Sequence, residues 1–171
     1  MTHDRLQPAL LDRLCDDART NPNEANEQRV MSKQQLRAAV LRDLSWLFNA
    51  TRPEPEPSSV QTQELQKWAG MRHARESVLN FGMPAYSGIT LSSLDSATIE
   101  RSVAQAIRVF EPRINADSLS VDVKLERQDS RQNTLQIVIR GQLWSQPVPL
   151  ELLLAADLDV ETGHTRVREL K

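Results

Sequence analysis

The periodicity of the apolar residues changes at the segment Phe110-Glu111-Pro112-Arg113-Ile114, and this change divides the chain into a helical part and a strand-forming part. Before it, apolar residues recur at the spacing of one buried helix face: Ile99, Val103, Ala106, Ile107 and Phe110. After it, apolar and polar residues alternate, as they do in strands that bury one face. Pro112 disfavours helical backbone at Glu111, so we predict that the helix begins after a cap at Asp95 or Ser96 and ends near Phe110.

The two charged residues around Pro112 are the first candidates for a functional site. Glu111 lies near the carboxyl end of the predicted helix, where the helix macrodipole disfavours a negative charge. We therefore expect Glu111 to have a specific cationic partner, in this chain or in another. The simpler alternative is a proline that ends a helix, flanked by two solvated charges.

The carboxyl-terminal third of the chain predicts an antiparallel sheet. Alternating runs occupy residues 119–125, 135–139 and 150–154, and residues 161–164 have the composition of a hairpin turn. The helix before Pro112 would cover the apolar face. The fold class is therefore α+β, with a two-layer antiparallel sheet packed against a helix and additional N-terminal helices. Pro147 and Pro149 suit either an edge strand at 148–156, open to strand addition by a partner, or a central strand that they merely precede.

Residues 32–48 give the clearest signal for a further helix. Ser32 and Gln35 have capping-box spacing. An apolar stripe follows, from which Trp46 is displaced: Leu36, Val40, Leu44, Leu47 and Phe48. Shorter helices are predicted at 4–17, 61–69 and 72–80, and residues 52–59 alternate proline with polar residues, which favours an extended spacer. We divide the chain into an N-terminal helical segment (1–50), a Pro-rich linker (51–60) and an α+β core domain (61–171).

Charge and cysteine content exclude several classes of function. The chain has 21 basic and 23 acidic residues without a strongly basic segment, so the footprint of a nucleic-acid-binding protein is missing. Cys15 is the single cysteine, which rules out an intrachain disulfide. The three histidines show no metal-ligand spacing, and the five glycines form no phosphate loop, so we expect no metal or cofactor. Without an apolar run of membrane-spanning length, we expect a cytoplasmic protein with no direct membrane insertion.

A hydrolase is the enzymatic alternative. Glycoside hydrolysis requires two carboxylates across a cleft, and Glu100, Glu111 and Glu151 are the candidates because each lies beside an apolar run. Each is more simply explained as a charge on the exposed side of its element. Trp144 lies close to two prolines and is expected to be exposed, and large exposed aromatic residues more often mark protein contacts than catalysis. We therefore expect a non-enzymatic interaction protein.

Four blocks of the sequence occur in an order that resembles a known family. They cover residues 10–14, 32–52, 77–84 followed by Ser87-Gly88, and the stretch that begins at 110–114 and ends at 141–144. Together they resemble the TssE-like baseplate wedge subunit of bacterial type VI secretion systems, which is related to a wedge protein of contractile phage tails. Some relatives in this family have carried a lysozyme-like label. Each block alone is weak, but the ordered set covers nearly the whole chain.

The resemblance implies a structural role between larger proteins. It implies a subunit that joins the baseplate wedge to the contractile sheath and provides a template for the first sheath ring. The implied partners are TssF- and TssG-like wedge proteins and sheath subunits, at a machine docked to the membrane, with no small-molecule substrate. The family's glutamate-proline-arginine motif falls on Glu111, Pro112 and Arg113, which with Trp144 are the candidate partner-binding residues. A peptidoglycan hydrolase and a generic α+β adaptor remain the alternatives.

Overall fold

The computed structural model describes residues 10, 12, 31–55, 62–86, 95–126, 134–145 and 148–170. Its helices are α1 (Lys33–Asn49), α2 (Thr62–Ala69), α3 (Arg72–Arg75) and α4 (Ser96–Phe110), with a 3₁₀ turn at Val78–Asn80. Its strands are β1 (Ser120–Glu126), β2 (Thr134–Leu143), β3 (Leu150–Asp159) and β4 (Thr165–Glu169). The strands form one antiparallel sheet in the order β1-β2-β3-β4. The predicted α+β class is confirmed.

The helix termini follow the local sequence signals. At the start of α1, the Ser32 hydroxyl accepts a hydrogen bond from the Gln35 backbone N–H, and the Gln35 side chain accepts one from the Ser32 backbone N–H. The Asp95 carboxylate accepts a hydrogen bond from the backbone N–H of Ala97 and caps α4, which ends at Phe110 as predicted. The prediction of one helix over 72–80 is wrong. The Ser77 hydroxyl donates to the Ala74 carbonyl and accepts from the Leu79 N–H, so it competes with the helical backbone at the break.

One hydrophobic core joins the helices to one face of the sheet. The side of α1 predicted to be apolar is buried, and so is the inner side of α4. Alternate residues of the two central strands complete the core: Leu135, Ile137, Ile139, Leu152, Leu154, Ala156 and Leu158. Burial of these residues is the main favourable contribution to folding. Helix α1 packs near β4 and helix α4 packs near β1. The two helices together therefore form the second layer.

The edges of the sheet are β1 and β4, because β3 pairs with β2 on one side and with β4 on the other. The edge-strand interpretation of 148–156 is therefore wrong, and the central-strand alternative holds. Both edges are partly covered by side chains from the helical layer. The Glu100 carboxylate accepts a hydrogen bond from the Val123 N–H of β1 (3.0 Å). The Asn49 amide donates to the Thr165 carbonyl (2.8 Å) and accepts from the Thr165 N–H (2.9 Å), as a neighbouring strand would.

The first part of the Pro-rich segment is attached to the 80–83 region. The Arg52 N–H donates to the Met83 carbonyl (2.9 Å), and the Met83 N–H donates to the Ala50 carbonyl (2.8 Å). Glu54 and Pro55 are buried. The division of the chain at 50 and 60 stays a prediction.

Several other sequence predictions fall on residues outside the described ranges. Of the predicted helix at 4–17, only Leu10 and Asp12 are described, and both are helical. The second half of the 52–59 spacer and Ser87-Gly88 of the third resemblance block also lie outside. Within the described ranges, no helix has the length and apolar character needed to span a bilayer.

Candidate functional site

The turn after α4 contains a buried ion pair between Glu111 and Arg113. Pro112 keeps the two side chains on one short turn, and the Glu111 side chain is only 2% exposed. The Arg113 guanidinium donates through Nε to Glu111 Oε1 (2.6 Å) and through Nη2 to Glu111 Oε2 (2.5 Å). The Arg113 backbone N–H also donates to Oε1 (3.2 Å). The predicted cationic partner of Glu111 therefore lies within the chain, two residues away, in a bidentate geometry that carboxylates favour.

Helix α1 adds a second carboxylate to this pair. Asp43 Oδ2 accepts a hydrogen bond from Arg113 Nη2 (2.5 Å), which connects residues that are 70 positions apart in the chain. Asp43 Oδ1 accepts another from Arg42 Nε (2.9 Å), and Arg42 Nη1 donates to Asp12 Oδ1 (2.6 Å). We call Asp12, Arg42, Asp43, Arg113 and Glu111 the charge network. Its charges alternate in sign, so each buried charge has an opposite neighbour.

The charge network keeps both arginines ionised. Burial alone would lower the pKa of Arg113, but the hydrogen bonds and charges of Glu111, followed by those of Asp43, outweigh it and raise that pKa above its ordinary value. Hydrogen bonds from Asp12 and then from Asp43 likewise raise the pKa of Arg42. A buried carboxylate such as Glu111 is tolerated only when charge and hydrogen bonds compensate its lost hydration. Glu111 is therefore a structural anchor for Arg113.

The end of β2 lies against the same turn and brings Trp144 to it. The Trp144 N–H donates to the Arg113 carbonyl (2.8 Å), and the Asn115 N–H donates to the Gln142 carbonyl (2.8 Å). The Trp144 side chain is 61% exposed, as predicted, and Pro112 is also exposed. We call Pro112, Arg113 and Trp144 the turn surface. The four predicted site residues therefore lie together, with Glu111 beneath the turn surface rather than on it.

Sequence reasoning did not identify Arg42 and Asp43 as members of the site. They occupy polar positions between the buried stripe residues Val40 and Leu44, where solvated charges are ordinary. The available signal was their position inside the 32–52 block that carries the family resemblance. Trp46, one turn after Arg42, is half exposed, and the Arg42 guanidinium lies 5.2 Å from the centre of its ring. This contact places a second exposed aromatic residue beside the charge network.

The three hydrolase candidates do not converge. Glu100 accepts a backbone hydrogen bond from β1, Glu151 lies exposed on β3, and both oxygens of Glu111 accept hydrogen bonds from Arg113. Asp43 is the other carboxylate near Glu111, and the shared guanidinium of Arg113 lies between them. Within the described ranges, no group of three or more metal-ligating side chains is present. Of the three candidates, Glu100 and Glu111 already accept hydrogen bonds within the chain.

An ordered arginine beside exposed aromatic residues is typical of surfaces that contact other proteins. Comparison with protein families matches residues 34–148 to baseplate wedge protein gp25. The match covers about two thirds of the chain, and this protein belongs to that family of structural baseplate components. TssE-like subunits are the type VI secretion homologues of gp25, so the recognition made from the sequence is confirmed. Searches of curated proteins and of solved structures gave no significant match.

Proposed function

We propose that this chain is a non-enzymatic subunit of a type VI secretion baseplate that joins the wedge complex to the contractile sheath and templates sheath assembly. The observation that carries the proposal is the charge network, which fixes the orientation of Arg113 at the turn surface inside the region matched to the gp25 family. The proposed partners are TssF- and TssG-like wedge proteins and sheath subunits. The proposed location is the cytoplasmic side of a membrane-docked machine.

The turn surface is suited to a wedge partner because its charged member is already ordered. Arg113 keeps about a quarter of its side chain exposed while Glu111 and Asp43 hold the guanidinium. A side chain that is fixed before association loses less conformational entropy on binding. Trp144 adds exposed aromatic area next to it, which is typical of residues that dominate interface energetics. Glu111 and Asp43 are positioning residues in this proposal, because they act through Arg113.

We propose that a sheath subunit adds its strand at an edge of the sheet, β1 or β4. The 148–156 segment is central and has both neighbours in place. At β1, Glu100 occupies the outward N–H of Val123, and at β4, Asn49 occupies both backbone groups of Thr165. An incoming strand would pair with the remaining outward groups of an edge strand, with backbone hydrogen bonds providing affinity. This placement replaces the one that the prolines suggested.

Co-purification with the wedge proteins tests the proposal. We expect Arg113→Ala to weaken wedge binding by about a hundredfold, since loss of a well-placed charged anchor at an interface costs about 2–5 kcal/mol. We expect Trp144→Ala to weaken it by at least about tenfold, as for a central aromatic contact. Recovery of tagged protein with TssF- and TssG-like partners, followed by titration, measures both effects.

Two matched substitutions control for loss of charge and loss of apolar surface. Arg108→Ala removes an exposed arginine from α4, and Met71→Ala removes an exposed apolar side chain before α3. Both should retain full wedge binding. Circular dichroism confirms that each variant is folded, and Trp144→Ala keeps the test decisive if Arg113→Ala is unstable. Unchanged wedge binding by folded Trp144→Ala and Arg113→Ala proteins would refute the proposal.

A further inference from the structure

Trp46 is a half-exposed tryptophan in the last turn of α1, outside the turn surface. Its neighbours Leu44 and Leu47 are buried in the core, whereas 52% of Trp46 is exposed. A tryptophan in this position leaves a large apolar area in contact with water. Aromatic residues are enriched at protein interfaces relative to the rest of a protein surface. Core packing within this chain therefore does not account for the tryptophan at residue 46.

The exposed aromatic area of this protein is concentrated at one place. The sequence has three tryptophans, three phenylalanines and one tyrosine, and all of them lie within the described ranges. Of these described residues, only Trp46 and Trp144 are exposed. Trp46 contacts the charge network through Arg42, and Trp144 contacts it through a backbone hydrogen bond to Arg113. The charge network therefore has an exposed tryptophan beside each of its two arginines.

A continuous series of polar contacts connects the two tryptophans. Arg42 Nε donates to Asp43 Oδ1 (2.9 Å), and Asp43 Oδ2 accepts a hydrogen bond from Arg113 Nη2 (2.5 Å). The Arg113 carbonyl then accepts a hydrogen bond from the Trp144 backbone N–H (2.8 Å). Arg42, Asp43 and Trp46 also share one face of α1, because residues three and four positions apart are neighbours on a helix. The region around Trp46 is therefore continuous with the turn surface.

The Arg42 guanidinium orders the Trp46 ring. The central carbon of the guanidinium lies 5.2 Å from the ring centre, which is within the range of a cation–π interaction. The arginine is itself held in place, because Asp12 accepts a hydrogen bond from Nη1 and Asp43 accepts one from Nε. An aromatic side chain that is ordered before association loses less conformational entropy on binding. Trp46 shares this property with Arg113 of the turn surface.

The surroundings of Trp46 indicate which partner group fits it. Arg42, the charged residue beside the ring, is already paired with two carboxylates, so a partner charge placed here would lose hydration for little gain. An apolar side chain gains instead from covering the exposed ring. We propose that Trp46 is a second aromatic anchor of the wedge contact and that it receives an apolar side chain of the wedge protein that binds the turn surface. This inference rests on the proposed function, because it assigns a further contact to the same partner.

Titration of the full-length protein with the TssF- and TssG-like wedge complex tests this proposal. Trp46→Ala should weaken wedge binding by about tenfold, as expected for an aromatic anchor. Trp46→Phe keeps an aromatic ring and should weaken binding by less than about threefold. The loss in Trp46→Ala should be equal at low and at high ionic strength, because salt screens interactions between charges and not an apolar contact.

Leu79 supplies the matched control, and photo-crosslinking supplies a second measurement. Leu79 is 71% exposed in the 3₁₀ turn and is not a member of the charge network, so Leu79→Ala should leave wedge binding unchanged. For crosslinking, the photoreactive aromatic amino acid p-benzoylphenylalanine replaces Trp46 in one protein and Leu79 in another. Irradiation of the assembled complex should attach residue 46, and not residue 79, to a wedge protein. Circular dichroism confirms that each variant is folded.

Two results of the titration would overturn the proposal. The first is unchanged wedge binding by folded Trp46→Ala protein. The second is an equal loss of affinity in Trp46→Ala and Leu79→Ala, which would indicate a general dependence on exposed apolar area. If Trp46→Ala does not fold, crosslinking decides, and equal or absent crosslinks at the two positions would refute the contact. Weakened binding by Arg113→Ala and Trp144→Ala in the same titration would show that the proposed wedge contact stands and that only the assignment of Trp46 has failed.

Discussion

At the scale of single residues, the chemistry of the turn depends on where two carboxylates lie relative to one guanidinium. Glu111 is buried and would be unfavourable alone, yet Arg113 satisfies both of its oxygens. Asp43 arrives from another helix and shares the same nitrogen of Arg113. The result is a cation whose position is set by two elements at once. Such a group can present a defined direction to a partner without rearrangement.

The stability of this arrangement gives a direct prediction. Glu111→Ala should lower the free energy of unfolding by about 3 kcal/mol, because it leaves a partly buried arginine with one carboxylate instead of two. Urea unfolding measures the change. The control Glu151→Ala removes an exposed acid from β3 and should change the free energy by less than about 0.5 kcal/mol.

A double-mutant cycle measures the interaction energy between Glu111 and Arg113 separately from their other contacts. We expect Glu111→Ala and Arg113→Ala to be non-additive by at least about 1 kcal/mol, since each removes the same bidentate contact. Effects that simply add would mean that the two side chains contribute independently, against the geometry observed here.

At the scale of elements, Gly82 lies where the chain after α1 contacts the segment before Tyr86. Gly82 has a φ of 124°, and a Cβ at this position would lie 2.5 Å from the Ala50 carbonyl oxygen. The same contact region carries the backbone hydrogen bonds between Ala50, Arg52 and Met83. A side chain at residue 82 would therefore both strain the backbone and separate two paired segments. The role of Gly82 depends on this close approach to Ala50, which is 32 positions away in the chain.

Gly82→Ala should accordingly destabilise the protein by about 2 kcal/mol or more. Thermal and urea unfolding measure the loss. Gly70→Ala is the matched control, because the nearest atom to its added Cβ is the Lys67 carbonyl oxygen at an ordinary 3.7 Å. We expect that control to be neutral or slightly stabilising, through the smaller entropy of its unfolded chain. Equal destabilisation by both substitutions would contradict the assignment of a special role to Gly82.

At the scale of the whole molecule, α1 and the sheet belong to one hydrophobic cluster. Leu44 and Leu47 of α1 are buried in the same cluster as Ile139 and Leu154 of the central strands. The charge network and the Asn49 contacts with Thr165 connect the same elements through polar groups. These contacts favour cooperative unfolding of α1 together with the sheet, whatever the boundaries of the N-terminal segment.

A core substitution in α1 tests this cooperativity. Leu44→Ala should cost about 2–5 kcal/mol, because it opens a cavity in a fully buried position. Native-state hydrogen exchange should show the same loss of protection in α1 and in the central strands β2 and β3. Gln34→Ala, at an exposed position of α1, is the control and should leave exchange unchanged. Loss of protection confined to α1 would instead support a separately folding N-terminal segment.

Local patterns were sufficient for most of the elements and for the position of the turn. The capping box at Ser32, the cap at Asp95 and the proline after Glu111 act through neighbours within four residues, so the sequence alone revealed them. The alternating runs identified β1, β2 and β3 for the same reason. The break in the 72–80 helix escaped prediction because one hydroxyl, that of Ser77, competes with the backbone.

The sequence by itself determined that an α+β protein ends a helix at a charged turn, and its ordered blocks identified the family. Only the tertiary structure decided that β3 is central and that Asp43 of α1 pairs with Arg113. The physical reason is the separation in sequence of the interacting residues. Caps and periodicity depend on residues within a few positions of one another. Strand order and ion-pair partners depend instead on which distant surfaces the core brings together, and no local pattern records that.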